Sequence, residues 1–209
     1  MIAVRLKKGY SLKIAGAPSA ALDVLPAPAR VAAVPSQLPF VKPRLKVKVG
    51  DAVALGEVLF EDKRNPEVKF LSPGGGRVAA VNFGERRVIR EIVIDLDSEE
   101  DHVAFETISA ADLKRIERDR LVALLLKGGI WPLLRSLPFR DMPRPDELPP
   151  AVYVQVGSTE PFQPQPAVYL QGNEARLRFG LAVLDRLAEG RVFVAAPAAD
   201  TEILKTFAD

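Results

Sequence analysis

The sequence of 209 residues contains no cysteine and only one histidine, His102. Without thiols the chain has no disulfide, no thiolate-bound metal, no iron–sulfur ligands and no cysteine nucleophile. A single imidazole also excludes a metal site built on a pair of histidines. His102 follows an acidic run with no nucleophile positioned beside it, so we interpret it as a surface residue. We therefore predict neither a catalytic residue nor a metal site in this chain.

Aromatic residues make up only 7% of the chain, and long apolar runs are missing. The longest uncharged stretch, 161–173, is short and rich in Pro and Gln, so no membrane-spanning helix is predicted. The N-terminus mixes apolar and basic residues without the continuous apolar segment of a signal peptide. We therefore expect a soluble intracellular chain, or one that is peripheral to a membrane.

Charge is unevenly distributed, although the net charge is only +2. The first fifty residues carry nine basic side chains and one acidic side chain. Four of the basic ones alternate with other residues, as on the solvated face of one strand: Lys42, Arg44, Lys46 and Lys48. Such a surface could face an acidic partner or anionic lipid. No aromatic residues are interleaved with these cations, so binding of nucleic acid is not predicted.

Residues 31–96 have the pattern of a small all-β domain. Short segments of alternating apolar residues are separated by glycine-containing turns every eight to twelve positions, which favours a sandwich or a barrel. Asn65-Pro66 is expected to interrupt one of these segments. Gly74-Gly75-Gly76 predicts a tight turn between two strands, and a phosphate-binding loop is the alternative for these glycines.

After the acidic stretch 95–101 the apolar spacing becomes helical. Ser109 to Asp112 resembles a capping box, and the helix that it begins is expected to end at Gly128-Gly129. A proline-rich linker, 138–150, precedes three more predicted elements: a strand at 151–156, a helix at 177–187 and a strand at 192–196. The order strand, helix, strand predicts a parallel pair joined by a crossover.

These patterns together predict an α+β chain of two domains. Residues 1–105 are expected to form an all-β domain with an N-terminal extension. Residues 106–209 are expected to form a helix followed by the start of a Rossmann-like α/β domain. A sheet of two strands would leave an exposed edge, which suggests a piece of a larger protein.

The segment 128–140 is the most distinctive candidate for ligand binding. Trp131 and Phe139 offer flat apolar surface, Arg135 and Arg140 offer hydrogen-bond donors, and the prolines restrict the backbone. Such a segment could hold an aromatic ligand with carbonyl groups, such as a quinone. The alternative is that Trp131 and Phe139 pack the helix against the junction of the two halves.

Lys63 provides a second candidate. It lies between two predicted strands, in an order that resembles the biotinyl/lipoyl carriers, where a lysine at a hairpin tip is modified. We expect Asn65-Pro66 to lengthen this tip, which argues against modification of Lys63.

Two sets of motifs carry a wider resemblance: Val58-Leu59-Phe60-Glu61-Asp62-Lys63 with Asn65-Pro66, and Gly129-Ile130-Trp131 with Leu134-Arg135 and Pro138-Phe139. They resemble the A subunit of the Na⁺-translocating NADH:quinone reductase. The chain is more distantly similar to the C subunit of the Rnf-type reductase and to the flavin-binding subunit of complex I. The resemblance implies a barrel-sandwich hybrid domain, similar to the carriers, at the N-terminus.

The resemblance also implies a function. Members of this family are peripheral proteins on the cytoplasmic face of the bacterial inner membrane, and their partners are the other subunits of a complex that oxidises NADH, reduces ubiquinone and exports Na⁺. No tightly bound redox cofactor is expected. Ubiquinone is the candidate ligand, and its expected contacts are Trp131, Arg135, Phe139 and Arg140.

Two further expectations follow from the same family. Trp131-Pro132-Leu133 stand where the flavin-binding relatives have a glycine-rich loop, so FMN is not expected here. Family members are about twice as long, so we expect an N-terminal fragment or a shortened form. A scaffold that binds only partner subunits, and a carrier modified at Lys63, remain the alternative functions.

Overall fold

The computed structural model of the chain describes residues 12–157 and 160–196. Contacts divide these residues into two compact units, which we describe separately. The first unit comprises residues 25–149, and the second comprises the described parts of 1–24 and 150–209. The first unit thus continues past residue 105, and the domain boundary at that residue stays a prediction.

The first unit contains seven short strands. They are β1 (Arg30–Ala33), β2 (Pro43–Leu45), β3 (Ala52–Val53), β4 (Val58–Asp62), β5 (Asn65–Leu71), β6 (Gly76–Phe83) and β7 (Ile89–Leu96). They form a four-stranded sheet in the order β1-β7-β6-β3 and a three-stranded sheet in the order β2-β4-β5. All of these pairings are antiparallel.

The segment between β2 and β3 crosses from one sheet to the other. The Lys46 N–H donates to the Leu59 carbonyl at 2.9 Å, and the Gly50 N–H donates to the Val78 carbonyl at 2.8 Å. Two sheets that are joined by a segment bonded to both form the barrel-sandwich arrangement that was predicted. This part of the fold class is therefore confirmed.

The core of the two sheets is built from apolar side chains that alternate with exposed ones on β5, whereas β4 buries consecutive residues. Leu59 on β4, Val68 on β5 and Ile92 and Ile94 on β7 are fully buried. The rings of Phe60 and Phe70 stack with centroids 4.4 Å apart, which adds a contact between β4 and β5. Burial of so many apolar side chains supplies the main stabilisation of a domain of this size.

The β4–β5 hairpin corrects one prediction. Asp62 pairs with Asn65, so the tip contains only Lys63 and Arg64, and Asn65-Pro66 belongs to β5. Pro66 is tolerated because β5 lies at the edge of its sheet, where a missing N–H costs no ladder bond. The expectation that Asn65-Pro66 lengthens the tip was therefore wrong.

Two helices follow in the same unit, α1 (Ala110–Leu113) and α2 (Arg118–Lys127). The capping box is confirmed, because the Ser109 hydroxyl accepts from the Asp112 N–H and the Asp112 side chain accepts from the Ser109 N–H. A single helix from Ser109 was predicted, but the chain leaves the helical path at Glu117, whose backbone is extended. α2 buries Leu121 and Val122 and ends at Gly128.

The second unit contains β8 (Val152–Gln155), α3 (Pro166–Leu170), α4 (Glu174–Leu187) and β9 (Val192–Ala195). β8 and β9 pair in parallel, with Val152 opposite Val192, so the predicted crossover is confirmed. The fold is therefore α+β, with a second α/β unit. Within residues 12–157 and 160–196, no helix is both long and apolar enough to cross a bilayer.

Candidate functional site

The candidate segment begins with a buried tryptophan. Trp131 opens a short 3₁₀-helix, Trp131–Leu133, and only 2% of its surface is exposed. Its indole N–H donates to the Pro143 carbonyl at 2.9 Å. The ring thus fills the interior of the first unit, and its one polar atom has a partner, which is the usual arrangement for a buried tryptophan.

The other three candidate residues lie on an exposed loop. The backbones of Ser136 and Asp141 form a bridge, with the Ser136 N–H donating to the Asp141 carbonyl at 2.7 Å, and the loop between them carries Phe139 and Arg140. Phe139 is 80% exposed, and Arg140 is exposed beside it. Arg135 is also exposed, and its guanidinium donates to the Pro132 and Leu134 carbonyls.

This arrangement separates the four residues into two environments. Phe139 is exposed, as are Leu133 and Leu137 of the same segment, which also carries the exposed Arg135 and Arg140. Trp131, in contrast, is buried in the packed interior of the first unit. A ligand with an apolar ring and carbonyl oxygens could contact the exposed part, and contact by all four residues stays a prediction.

The glycines before Trp131 do not fit an FMN phosphate. A Cβ on Gly129 would lie 2.7 Å from Cδ1 of Leu71, so the close approach that this glycine permits is taken by a leucine of β5. Two positions further on, Trp131 and Pro132 are buried. The Gly129 and Ile130 N–H groups already donate to the Leu126 and Leu125 carbonyls, whereas a phosphate site needs free N–H groups.

A groove next to this segment was not predicted from the sequence. It has a volume of about 730 Å³ and lies between β5, α2, the segment 103–105 and residues 145–146. Its apolar lining includes Leu71, Val103, Phe105, Val122 and Leu126. Charged residues also line it, among them Lys69, Asp119, Lys127 and Asp146. The size of the groove suits a small apolar molecule. The residues that line it are far apart in the sequence, so no local motif predicts it.

A buried carboxylate lies on the three-stranded sheet. Glu61 on β4 is 5% exposed. The Lys46 Nζ lies 2.8 Å from its Oε2, and the Arg44 Nη1 lies 3.2 Å from its Oε1. The hydrogen bond from Lys46 lowers the pKa of Glu61 below its ordinary value of 4.5; the charges of Lys46 and Arg44 act in the same direction, and burial opposes them. Two of the alternating cations on the predicted solvated face thus neutralise this carboxylate.

The remaining sequence candidates also have defined positions. Lys63 is exposed at the tip of the β4–β5 hairpin, and its backbone N–H donates to the Lys42 carbonyl at 2.8 Å. Gly74 and Gly75 lie between the end of β5 and the start of β6, so the predicted turn between two strands is confirmed. The Gly75 N–H donates to the Glu100 carboxylate at 2.6 Å. His102 is exposed, as predicted. Within the described ranges, no group of three or more His, Asp or Glu side chains converges as metal ligands would.

Comparisons with known proteins match nearly the whole chain. Residues 4–97 match the family described as the NqrA N-terminal barrel-sandwich hybrid domain, and residues 116–208 match the NqrA second alpha/beta domain. Three similar curated proteins are all named as the A subunit of a Na(+)-translocating NADH-quinone reductase.

The protein from Alcanivorax borkumensis is 38% identical over 191 residues, which are 91% of this chain and 43% of the relative. The protein from Klebsiella pneumoniae is 39% identical over 194 residues, covering 93% and 43%. The protein from Shewanella amazonensis is 36% identical over 198 residues, covering 94% and 44%. The chain therefore spans less than half the length of the curated relatives that it matches.

Proposed function

The chain belongs to the NqrA family, the A subunits of the Na(+)-translocating NADH-quinone reductases, and from this premise we propose that it serves as that component of a Na⁺-exporting complex. In this role it is peripheral on the cytoplasmic face of the bacterial inner membrane and binds the other subunits. It holds no redox cofactor of its own. The observation that carries the proposal is the match to both family domains, in order, along one chain.

We further propose that the loop of Phe139 and Arg140, with Arg135, faces ubiquinone, and that Trp131 supports the loop from below. A quinone head group is flat and apolar on its faces and carries two carbonyl oxygens at its edge. An exposed aromatic ring suits the faces, and guanidinium donors suit the oxygens. Phe139 is 80% exposed, so stacking of a quinone on it would need no rearrangement of the core.

Quinone binding by the full-length protein tests this proposal. Phe139→Ala should weaken the affinity for a short-chain ubiquinone by about 1–2 kcal/mol, roughly five- to thirtyfold, because the stacking surface is lost. The thermal midpoint should stay unchanged, because the ring is exposed. Titration of quinone into wild type and variant, with a melting curve for each, measures both quantities.

Leu126→Ala provides the matched control, because Leu126 lines the apolar groove in the same unit. We expect this variant to bind quinone as the wild type does. If Leu126→Ala weakens binding and Phe139→Ala does not, the quinone occupies the groove and the loop has no role. If neither variant changes the affinity, this part of the chain does not contact quinone. That result would favour the alternative of a scaffold that binds only partner subunits.

One observation favours the second candidate, a carrier modified at Lys63. The tip holds only two residues, and the Lys63 side chain is exposed there, as a modified lysine must be. The intact mass of the chain purified from its native cells decides this alternative. An unmodified mass removes it, and an added lipoyl or biotinyl group would establish it.

A further inference from the structure

Three segments meet at one end of the two-sheet unit, and we call this surface the basic end. It consists of residues 34–42, the β4–β5 tip at 62–65 and the β6–β7 tip at 83–90. The 3₁₀-helix Pro35–Gln37 lies against the start of β7, where the Ser36 hydroxyl donates to the Arg90 carbonyl at 3.1 Å. A few residues later, the Lys42 N–H donates to the Asp62 carboxylate at 3.1 Å.

These bonds connect the segment 34–42 to both hairpins. Ser36 and Lys42 are six positions apart, so their backbones are at most about 22 Å apart. The end of β1 pairs with β7 near the β6–β7 tip, and the start of β2 pairs with β4 at the β4–β5 tip, so the segment that joins β1 to β2 runs from one tip to the other. One flat partner could therefore touch both tips at once.

The basic end has an excess of positive charge. Its three segments contain six cations and two acids, a balance of +4 in a chain whose net charge is +2. All six cations are exposed at the two tips and beside them: Lys42, Lys63, Arg64, Arg86, Arg87 and Arg90. In the described part of the chain, none of these except Arg64 has an ion pair, and Arg64 lies 3.8 Å from Asp62.

Apolar side chains project singly between these cations. Phe40 is 55% exposed, Phe83 is 50% exposed and Val88 is 52% exposed. Phe40 lies in the connecting segment, and Phe83 and Val88 flank the β6–β7 tip. An exposed phenylalanine gains free energy on entering the boundary between head groups and acyl chains of a bilayer, where neighbouring cations can stay with the head groups.

We propose that the basic end binds the surface of a bilayer that contains anionic lipid. The cations contact the phosphate groups, and Phe40, Phe83 and Val88 enter the interfacial layer. An acidic protein would also satisfy the cations, but it offers no apolar layer to three separated, exposed apolar side chains. The inference concerns lipid alone, so it is independent of the quinone proposal and of the other subunits.

Sedimentation with lipid vesicles tests this surface. The 209-residue chain is mixed with vesicles of phosphatidylcholine, or of phosphatidylcholine with about 30% phosphatidylglycerol, at low and at physiological salt. We expect binding only to the vesicles with phosphatidylglycerol. The double variant Lys63→Glu/Arg64→Glu should lower the partition coefficient by roughly thirtyfold or more, because each cation contributes at an anionic surface.

Lys114→Glu/Arg115→Glu is the matched control, since it reverses another exposed pair of neighbouring cations in the same unit. This control changes the net charge by the same amount as the tip variant, and it should still bind the vesicles with phosphatidylglycerol. Arg86→Glu/Arg87→Glu, at the other tip, should reproduce this loss of binding. The proposal therefore stays testable if one of the two tip variants folds poorly. Phe40→Ser should remove the part of the binding that survives physiological salt.

Three results would overturn the proposal: no binding to anionic vesicles, equal binding to neutral ones, or equal loss in the control. If vesicles are not bound but the tip variants fail to assemble with the other reductase subunits, the basic end is a protein contact instead.

Discussion

Trp131 and Phe139 belong to one short segment but have opposite environments. Trp131 is 2% exposed and hydrogen-bonded through its indole, whereas Phe139 is 80% exposed at a loop tip. Trp131→Ala should therefore lower the free energy of unfolding by about 3–5 kcal/mol, through lost burial and a cavity. Phe139→Ala should change it by less than about 0.5 kcal/mol. Urea unfolding of both variants measures the difference, and equal losses would show that Phe139 is also packed in the protein.

The sequence pattern identified Trp131, Arg135, Phe139 and Arg140 as candidate residues, but it did not predict that one of them is buried and the others exposed. Aromatic and guanidinium side chains close together in sequence predict a contact surface, and three of the four are indeed exposed. The indole of Trp131 is bonded to Pro143, twelve residues later, and Leu71 packs against Gly129, which is 58 residues away from it in the sequence. Long-range contacts of this kind leave no periodicity to detect.

At the scale of elements, the three-stranded sheet depends on a carboxylate held between two cations. Because the pKa of Glu61 is lowered in the folded chain, its ionised form stabilises the fold above the ordinary pKa of 4.5, and this contribution is lost as the pH falls through the folded pKa. Glu61→Gln should therefore be less stable than wild type at pH 7, and the difference should shrink steadily below pH 4.5. Urea unfolding at about pH 7, 4.5 and 3.5 measures it.

Glu67→Gln is the control for this experiment, because Glu67 lies on β5 of the same sheet and is exposed. Its stability should follow that of the wild type at every pH. A difference between Glu61→Gln and wild type that stays constant down to about pH 3.5 would mean that the ionised carboxylate has no net role.

Element boundaries show where local signals are sufficient. The capping box at Ser109 and the parallel strands around α4 were predictable, since each has a side chain or a spacing that specifies it. The break between α1 and α2 was not, because residues 114–117 contain neither Gly nor Pro. Pro66 gave a local signal that was wrong. Proline usually ends a strand, but it is acceptable in β5 because β5 lies at the edge of its sheet.

At the scale of the whole molecule, the division into two units depends on contacts that the sequence pattern did not indicate. A Cβ on Gly16 would lie 3.3 Å from the ring of Phe162, within the unit that combines residues 12–24 with residues after 150. The acidic segment after β7 is likewise held to the first unit. The Leu55 N–H donates to the Asp101 carbonyl at 2.7 Å, and the Val103 N–H donates to the Leu55 carbonyl at 2.9 Å.

Limited proteolysis distinguishes the two places where the sequence predicts an exposed connection. Next to residues 98–100, the Asp101 carbonyl accepts from the Leu55 N–H, and the Glu100 side chain accepts from the Gly75 N–H, whereas Arg140 sits on a loop closed by the Ser136–Asp141 bridge. Because proteases need a segment that can leave its hydrogen bonds, trypsin should cut first at Arg140. A glutamate-specific protease should spare Glu99 and Glu100 over the same time. Mass spectrometry of the first fragments identifies the sites. Early cleavage at Glu99 or Glu100 would instead place the flexible connection near the predicted boundary after residue 105, with the all-β domain folding alone.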